Sequence, residues 1–308
     1  MSNQSVAAGV SLAGVMAHCG GSPVGAVKVL VGAIASAPAA PQPYTALAEL
    51  WRDRRSELKE SLEECAAPWF GDARFLGAVG AGALAEACLR TLDYCHDLDT
   101  DEMRERFAPW FHALDVVSER NPVPESLAAM ARLPRACGRY ELSFALCDRA
   151  DAVNRVMWTA VARAATWRAM GDLDQAAAAF EGALLLDPAN WSLYLDLADL
   201  RAEQGDFAAA ASLVEQGLEY EPHEVSLRAA GAAYRTRVSG SSDDLMALIA
   251  LAPELANTTY RNLLIDYACA GTQLPRRLVA KAHRSRKRST WPGYKGPGLG
   301  GSAQLAAG

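Results

Sequence analysis

Two stretches of this chain carry the same residue pattern at a spacing of 34 residues. Gly171-Asp172 recurs as Gly205-Asp206, Ala164 as Ala198, Ala176 as Ala210, and Asp187-Pro188 as Glu221-Pro222. Self-similarity at such a period points to stacked supersecondary units rather than one layered core. The residue types identify the unit. Small residues at fixed places let two antiparallel helices approach closely. Each glycine supplies the left-handed conformation that ends the first helix. Each proline stops the second, because its ring clashes with the preceding turn and it lacks an N–H donor. Trp167, Phe180, Tyr194, Leu197 and Phe207 are the larger residues expected to fill the space between the helices.

From Met157 to His223 the sequence resembles the tetratricopeptide repeat (TPR) family, with small residues at repeat positions 8, 20 and 27 and proline at position 32. Gly217 stands where the family usually has alanine at position 27 of the second copy, and the best copies are residues 157–190 and 191–224. The resemblance implies an all-α chain: a right-handed superhelical array of antiparallel helix pairs, that is, a TPR-like α-solenoid. It also implies a groove lined by the first helix of each repeat, with repeat positions 2, 5, 9 and 12 facing it. Carried onto this sequence, that partner-binding face comprises Glu125, Arg132 and Arg135 of an upstream copy, then Trp158, Val161 and Arg168, then Ser192, Leu195 and Asp199. Three arginines near one aromatic suit an acidic segment or a terminal carboxylate, because guanidinium groups pair with carboxylates in bidentate fashion and stack on rings. The pattern departs from the lysine and asparagine clamp of chaperone-binding members, which argues against a chaperone tail as ligand.

Weaker copies flank the two best ones, as expected of an array whose end units are atypical. Ala131, Gly138, Tyr140, Ser143, Cys147 and Ala150 fit a copy beginning near Pro124, with Pro134 inside its first helix and a second helix that looks short. Downstream, Ala232, Asp244 and Pro253 suggest a copy near Val225, and a further helix begins near Asn257 with Tyr260, Leu263, Tyr267 and Gly271 in register. Gly14, Gly21, Ala26, Ala33 and Pro38 fit the template at the N-terminus. Between Pro41 and Asn121 the chain reads as helical without obeying the repeat. There, Ala67-Pro68-Trp69-Phe70 and Ala108-Pro109-Trp110-Phe111 read as helix starts with proline in the first turn. The expected organisation is a helical N-terminal region over 1–123, a TPR array over 124–275 and a basic, disordered tail over 276–308.

Charge separates that tail from the rest. The net charge of −6 is the sum of −14 before Arg276 and +8 from it onward, where eight Lys or Arg stand with no acid. Lys281, Arg284, Arg286, Lys287 and Arg288 form the densest part and offer a site for a polyanion. The favoured reading is a tail solvated or folded against the acidic body; nucleic acid or an anionic surface is the less favoured partner.

Catalytic chemistry leaves little trace. Gly77, Gly80 and Gly82 do not match a dinucleotide loop and follow no strand, so they read as close helix contacts. Cys95-His96, followed by Asp97, Asp99, Asp101 and Glu102, is better read as a loop leading into a helix, with acids at its positive end, than as a metal site. The seven cysteines are scattered, with no C-x-x-C, which suits a reducing compartment. Ala35-Ser36-Ala37 mimics an export cleavage site, but no Lys or Arg precedes Lys28 and no apolar run approaches the roughly 20 residues of a membrane span; cytoplasmic residence is the default expectation. No cofactor and no metal are expected. Two functions follow. The favoured one is a non-enzymatic scaffold or adaptor that binds a peptide or partner protein. The alternative is an accessory or catalytic protein of a biosynthetic pathway, with a pocket around Trp69, Cys95, His96, Trp110 and His112.

Overall fold

Small residues, turn glycines and helix-stopping prolines shape the local structure of the computed structural model, which describes residues 3–18, 22–38, 40, 42–54, 70–71, 73–95, 97–270 and 273–286. Those residues are helical with short connections and contain no strand, so the protein is all-α. Contacts divide the chain between Thr166 and Trp167 into two compact units. The division does not fall at residue 123, because Leu127, Met130 and Leu133 of the upstream copy share one hydrophobic core with Leu30, Leu84 and Trp110.

In the first unit, α1 (Asn3–His18) and α2 (Pro23–Ser36) form a packed pair. Ser22 caps α2, its Oγ accepting from the Gly25 N–H at 3.2 Å, and Pro23 sits where a helix tolerates it. Helix α3 (Gln42–Arg54) packs back on both, and the Tyr44 hydroxyl donates to the Pro38 carbonyl at 3.1 Å. The best copies contain the same contact, from the Tyr194 hydroxyl to the Pro188 carbonyl at 2.9 Å. Local repeat geometry therefore continues past Pro41, where the sequence pattern had faded. Next come α4 (Ala73–Ala78), α5 (Ala81–Tyr94), α6 (Asp101–Arg106) and α7 (Ala108–Arg120). Pro109 lies in the first turn of α7, as read from sequence, and Trp110 is fully buried edge-on to Phe70 (centroids 5.0 Å) and Phe107 (5.8 Å). Residues 67–69 of the sister phrase lie outside the described residues.

The upstream copy differs from its expected form. Its first helix is split into α8 (Pro124–Met130) and α9 (Arg132–Ala136), because the Pro134 ring cannot sit against the Met130 carbonyl one turn back. Its second helix, α10 (Tyr140–Val153), is not short: it runs 14 residues, as long as its counterparts in the best copies. The unit ends within α11 (Met157–Met170).

In the second unit, α12 (Leu173–Leu186), α13 (Trp191–Glu203), α14 (Phe207–Tyr220), α15 (Val225–Ser239) and α16 (Ser242–Leu251) follow in close succession. A 3-10 turn (Ala252–Glu254), α17 (Thr258–Cys269) and α18 (Arg276–Arg284) complete it. Gly171 and Gly205 have φ of 84° and 85°, and the next residue caps the following helix: Asp172 accepts from the Gln175 N–H at 3.1 Å and Asp206 from the Ala209 N–H at 2.9 Å. Ala176, Ala210 and Gly217 are buried at helix crossings. Gly217 is explained by a close approach, since an added Cβ would stand 3.1 Å from both the Tyr194 Cβ and a Leu227 methyl. The helices expected near Val225 and Asn257 are α15 and α17, and Asn257 caps the latter by accepting from two backbone N–H groups at 3.0 Å. The expected disorder of the tail does not hold for residues 276–284, which form α18.

Candidate functional site

The residues expected to face a partner fall into both units and have different surroundings. In the first unit Glu125 is exposed, and Arg132, Arg135 and Val161 are half-buried. Trp158 presents 40% of its surface, an unusual exposure for that side chain. Arg135 stands out electrostatically. Other guanidinium groups of this unit are neutralised in pairs: Arg149 holds Asp115 (2.7 Å) and Glu119 (3.1 Å), Arg163 holds Asp148 (3.0 Å) and Asp151 (2.8 Å), and Arg104 holds Asp99 and Asp101. Arg135 has no carboxylate among the described residues, and burial followed by repulsion from Arg132 pushes its guanidinium down to about 10. Arg139 likewise has no acid among them, and its guanidinium lies 5.5 Å from the centre of the Phe111 ring. Cys147 lies within the same field, its thiol pushed up to about 12 chiefly by burial.

In the second unit the expected groove positions are not on an open face. Helix α13 is buried from Ser192 to Leu200, which places Ser192, Leu195 and Asp199 among the protein's own side chains. Asp199 accepts from the Tyr234 hydroxyl of α15 and, at 2.9 Å, from the Tyr260 hydroxyl of α17. Burial pushes its carboxyl up to about 6, against the opposing pull of the Tyr234 hydroxyl, the Arg168 charge and the Tyr260 hydroxyl. The same burial raises both tyrosine hydroxyls well above their usual range. Arg168 is not available to a partner either. Its Nε donates to Glu203 Oε2 at 2.9 Å and its Nη2 pairs with Oε1, with only 6% and 12% of the two side chains exposed. Phe207, Tyr234 and Tyr267 pack beside this network, and the Tyr267 hydroxyl is pushed up to about 12, mainly by burial.

Sequence reasoning placed Asp199 correctly on the first helix of its repeat but missed its hydroxyl donors. Tyr260 was in register for a further helix, yet no local signal links it to a carboxylate 61 residues earlier.

The remaining expected groups do not assemble into one site. Trp110 belongs to the aromatic core, His112 is exposed and Cys95 is half-buried, while Trp69 and His96 lie outside the described residues. A separate open cleft of about 500 Å³ lies between α1, α3 and α5, where Thr45 Oγ1 donates to Glu86 Oε1 at 3.3 Å near Gln42 and Glu49. Of the tail residues, Lys281 and Arg284 are exposed, Arg286 is paired with Asp266 through two bonds of 2.8 and 3.0 Å, and Lys287 and Arg288 lie outside the described residues. No helix among the described residues is long and apolar enough to cross a membrane.

Helix pairs closed by left-handed glycines, capped by Asp172 and Asp206 and repeated with buried small residues, are the geometry that comparison with known families recognises: residues 168–233 match the model of the tetratricopeptide repeat. The chain contains tetratricopeptide repeats. The matched TPR segment runs from Arg168 through α12, α13 and α14 into α15. Among solved structures, the protein is similar to a TPR protein from Parabacteroides merdae at 16% identity, over 91% of this chain and all of that one, with a TM-score of 0.45. A thermophilic TPR protein of Thermus thermophilus matches at 18% identity over 74% of this chain and 98% of that one, with a TM-score of 0.37. The Cut9–Hcn1 hetero-tetramer of the APC/C contributes a chain at 12% identity, covering 80% of this chain and 53% of its own, with a TM-score of 0.39. Comparison with the curated proteins returned no match.

Proposed function

We propose that this TPR protein is a non-enzymatic interaction scaffold that receives an acidic segment of a partner protein on the arginine-bearing face of its upstream repeat. The observation that carries the reading is Arg135. A half-buried guanidinium without a carboxylate among the described residues, beside a second arginine, is an unfavourable arrangement that an incoming carboxylate would relieve. It stands in a chain where acids outnumber bases by 36 to 30, so a shortage of internal partners is not its cause. Exposed Trp158 adds an aromatic anchor in the same unit, of the kind enriched where protein partners dock. Arg168, Ser192, Leu195 and Asp199 leave the ligand-facing set and become structural.

The experiment is capture of native-cell partners by the parent and by an Arg132→Glu/Arg135→Glu variant, with anisotropy of a fluorescein-labelled glutamate-rich peptide as a direct probe. The parent should bind the peptide and the folded variant should lose both peptide and partners. Retention of both by a variant that melts like the parent would place the site elsewhere. A small molecule copurifying in native mass spectrometry would instead favour the cleft between α1, α3 and α5.

A further inference from the structure

Helix α18 divides its two faces between different tasks. Ala282 is fully buried and Leu278 and Val279 are half-buried against α16 and α17, so the apolar face is consumed inside the second unit. The other face carries Arg276, Arg277, Lys281, His283 and Arg284, all exposed. None of these has an ionic partner among the described residues. Arg286 is the contrast: just past the helix, it folds back onto Asp266 through two bonds of 2.8 and 3.0 Å. Among the described residues of the tail, Arg286 and the apolar side of α18 meet the second unit, and Arg276, Arg277, Lys281, His283 and Arg284 face water.

We propose that this face of α18 binds the phosphate backbone of nucleic acid, by charge and without reading base sequence. Arg277, Lys281 and Arg284 follow spacings of four and three, which puts them on one side of the helix, separated along its axis by about 6 and 4.5 Å. They form a short row of fixed cations. The face bears no exposed large apolar or aromatic side chain with which to stack on bases, so the contact is with phosphates. A lipid surface fits less well. An amphipathic helix holds to a bilayer chiefly by burying its apolar face, and that face is already taken. The chain continues with Lys287 and Arg288, which extend the positive charge in sequence. Repulsion from the acidic remainder is screened beyond about 8 Å at physiological salt, so the local excess governs contact.

The test uses the full chain and a fluorescein-labelled mixed-sequence DNA duplex of about 24 base pairs at about 50 mM salt. Vesicles of phosphatidylcholine and phosphatidylserine serve as the comparison. The parent should bind the duplex saturably. Arg277→Gln/Lys281→Gln/Arg284→Gln should weaken binding at least about tenfold and lower the slope of log affinity against log salt by about 2 to 3. All three side chains are exposed, so melting should not change, and Arg277→Lys/Arg284→Lys should bind like the parent because charge alone is required. Lys287→Gln/Arg288→Gln should lose less than the triple variant. The proposal is overturned if the parent does not bind the duplex, if the triple variant keeps parental affinity, if the loss belongs to Lys287 and Arg288 alone, or if vesicles bind more tightly than DNA.

Discussion

A carboxyl group as deeply buried as Asp199 favours its protonated form, and the two tyrosine hydroxyls and Arg168 only partly offset this. The folded value of about 6 lies above the ordinary 3.8, so between these values the folded state holds more proton than the unfolded one. Stability contributed by Asp199 is therefore full below about pH 4 and is lost as pH rises toward about 6, by up to about 3 kcal/mol. Asn in its place keeps an acceptor for the hydroxyls and has no proton to lose. Melting temperatures of the parent and of Asp199→Asn, measured from pH 4 to 7, should diverge across that window. Parallel curves would mean that Asp199 titrates normally. Arg168 gives a second prediction at this scale. Glu203→Gln removes the charge facing a buried guanidinium and should cost about 3 kcal/mol in urea unfolding, the expected size for breaking a buried pair from one side. Charge reversal at Arg168 would accordingly report on folding and not on partner binding.

Helices and turns were the most legible part of the sequence, because their causes are local. Gly171 and Gly205 dictate a left-handed turn that formed as read, and the aspartates that follow them add helix caps within five residues. Pro134 announced a disturbance, but the exact break at Ala131 and the full length of α10 depend on packing against the N-terminal core. The face assignment failed for a similar reason in the second unit. Repeat positions say which way a side chain leaves its helix, and only the tertiary fold decides what lies there; α15 and α17 lie against Asp199. Crossing points can be tested directly. Ala176 and Ala210 are fully buried, so Ala176→Trp or Ala210→Trp should lower stability by about 1 to 3 kcal/mol or more through overpacking, read by thermal melting of the helical circular dichroism signal. Gly217→Ala should also destabilise, more mildly, because Leu227 and Tyr194 would have to give way.

For the chain as a whole, the basic end begins as helix α18, packed on α16 and α17. Two truncations separate its parts. Removing residues 285–308 takes away the exposed Arg286–Asp266 pair and should change stability by no more than about 1 kcal/mol. Removing residues 276–308 also uncovers the core that Leu278, Val279 and Ala282 cover, and should lower the melting temperature and expose dye-binding apolar surface. Equal melting of the two truncated proteins would show that α18 does not contribute to folding.

The bond between Tyr260 and Asp199 also bears on how the protein is made. A ribosome delivers Asp199 well before Tyr260, since 61 residues separate them. Through that interval the nascent helix pairs can stack on near neighbours, as repeats do, and α15 brings Tyr234 to the carboxylate while the side awaiting α17 stays open to water. The carboxylate's full dehydration waits for the last helices to emerge. A chain cut short before residue 260 would hold Asp199 with the Tyr234 hydroxyl alone and leave the side that α17 covers open to water, so that an unfinished product differs chemically from a finished one at the middle of α13.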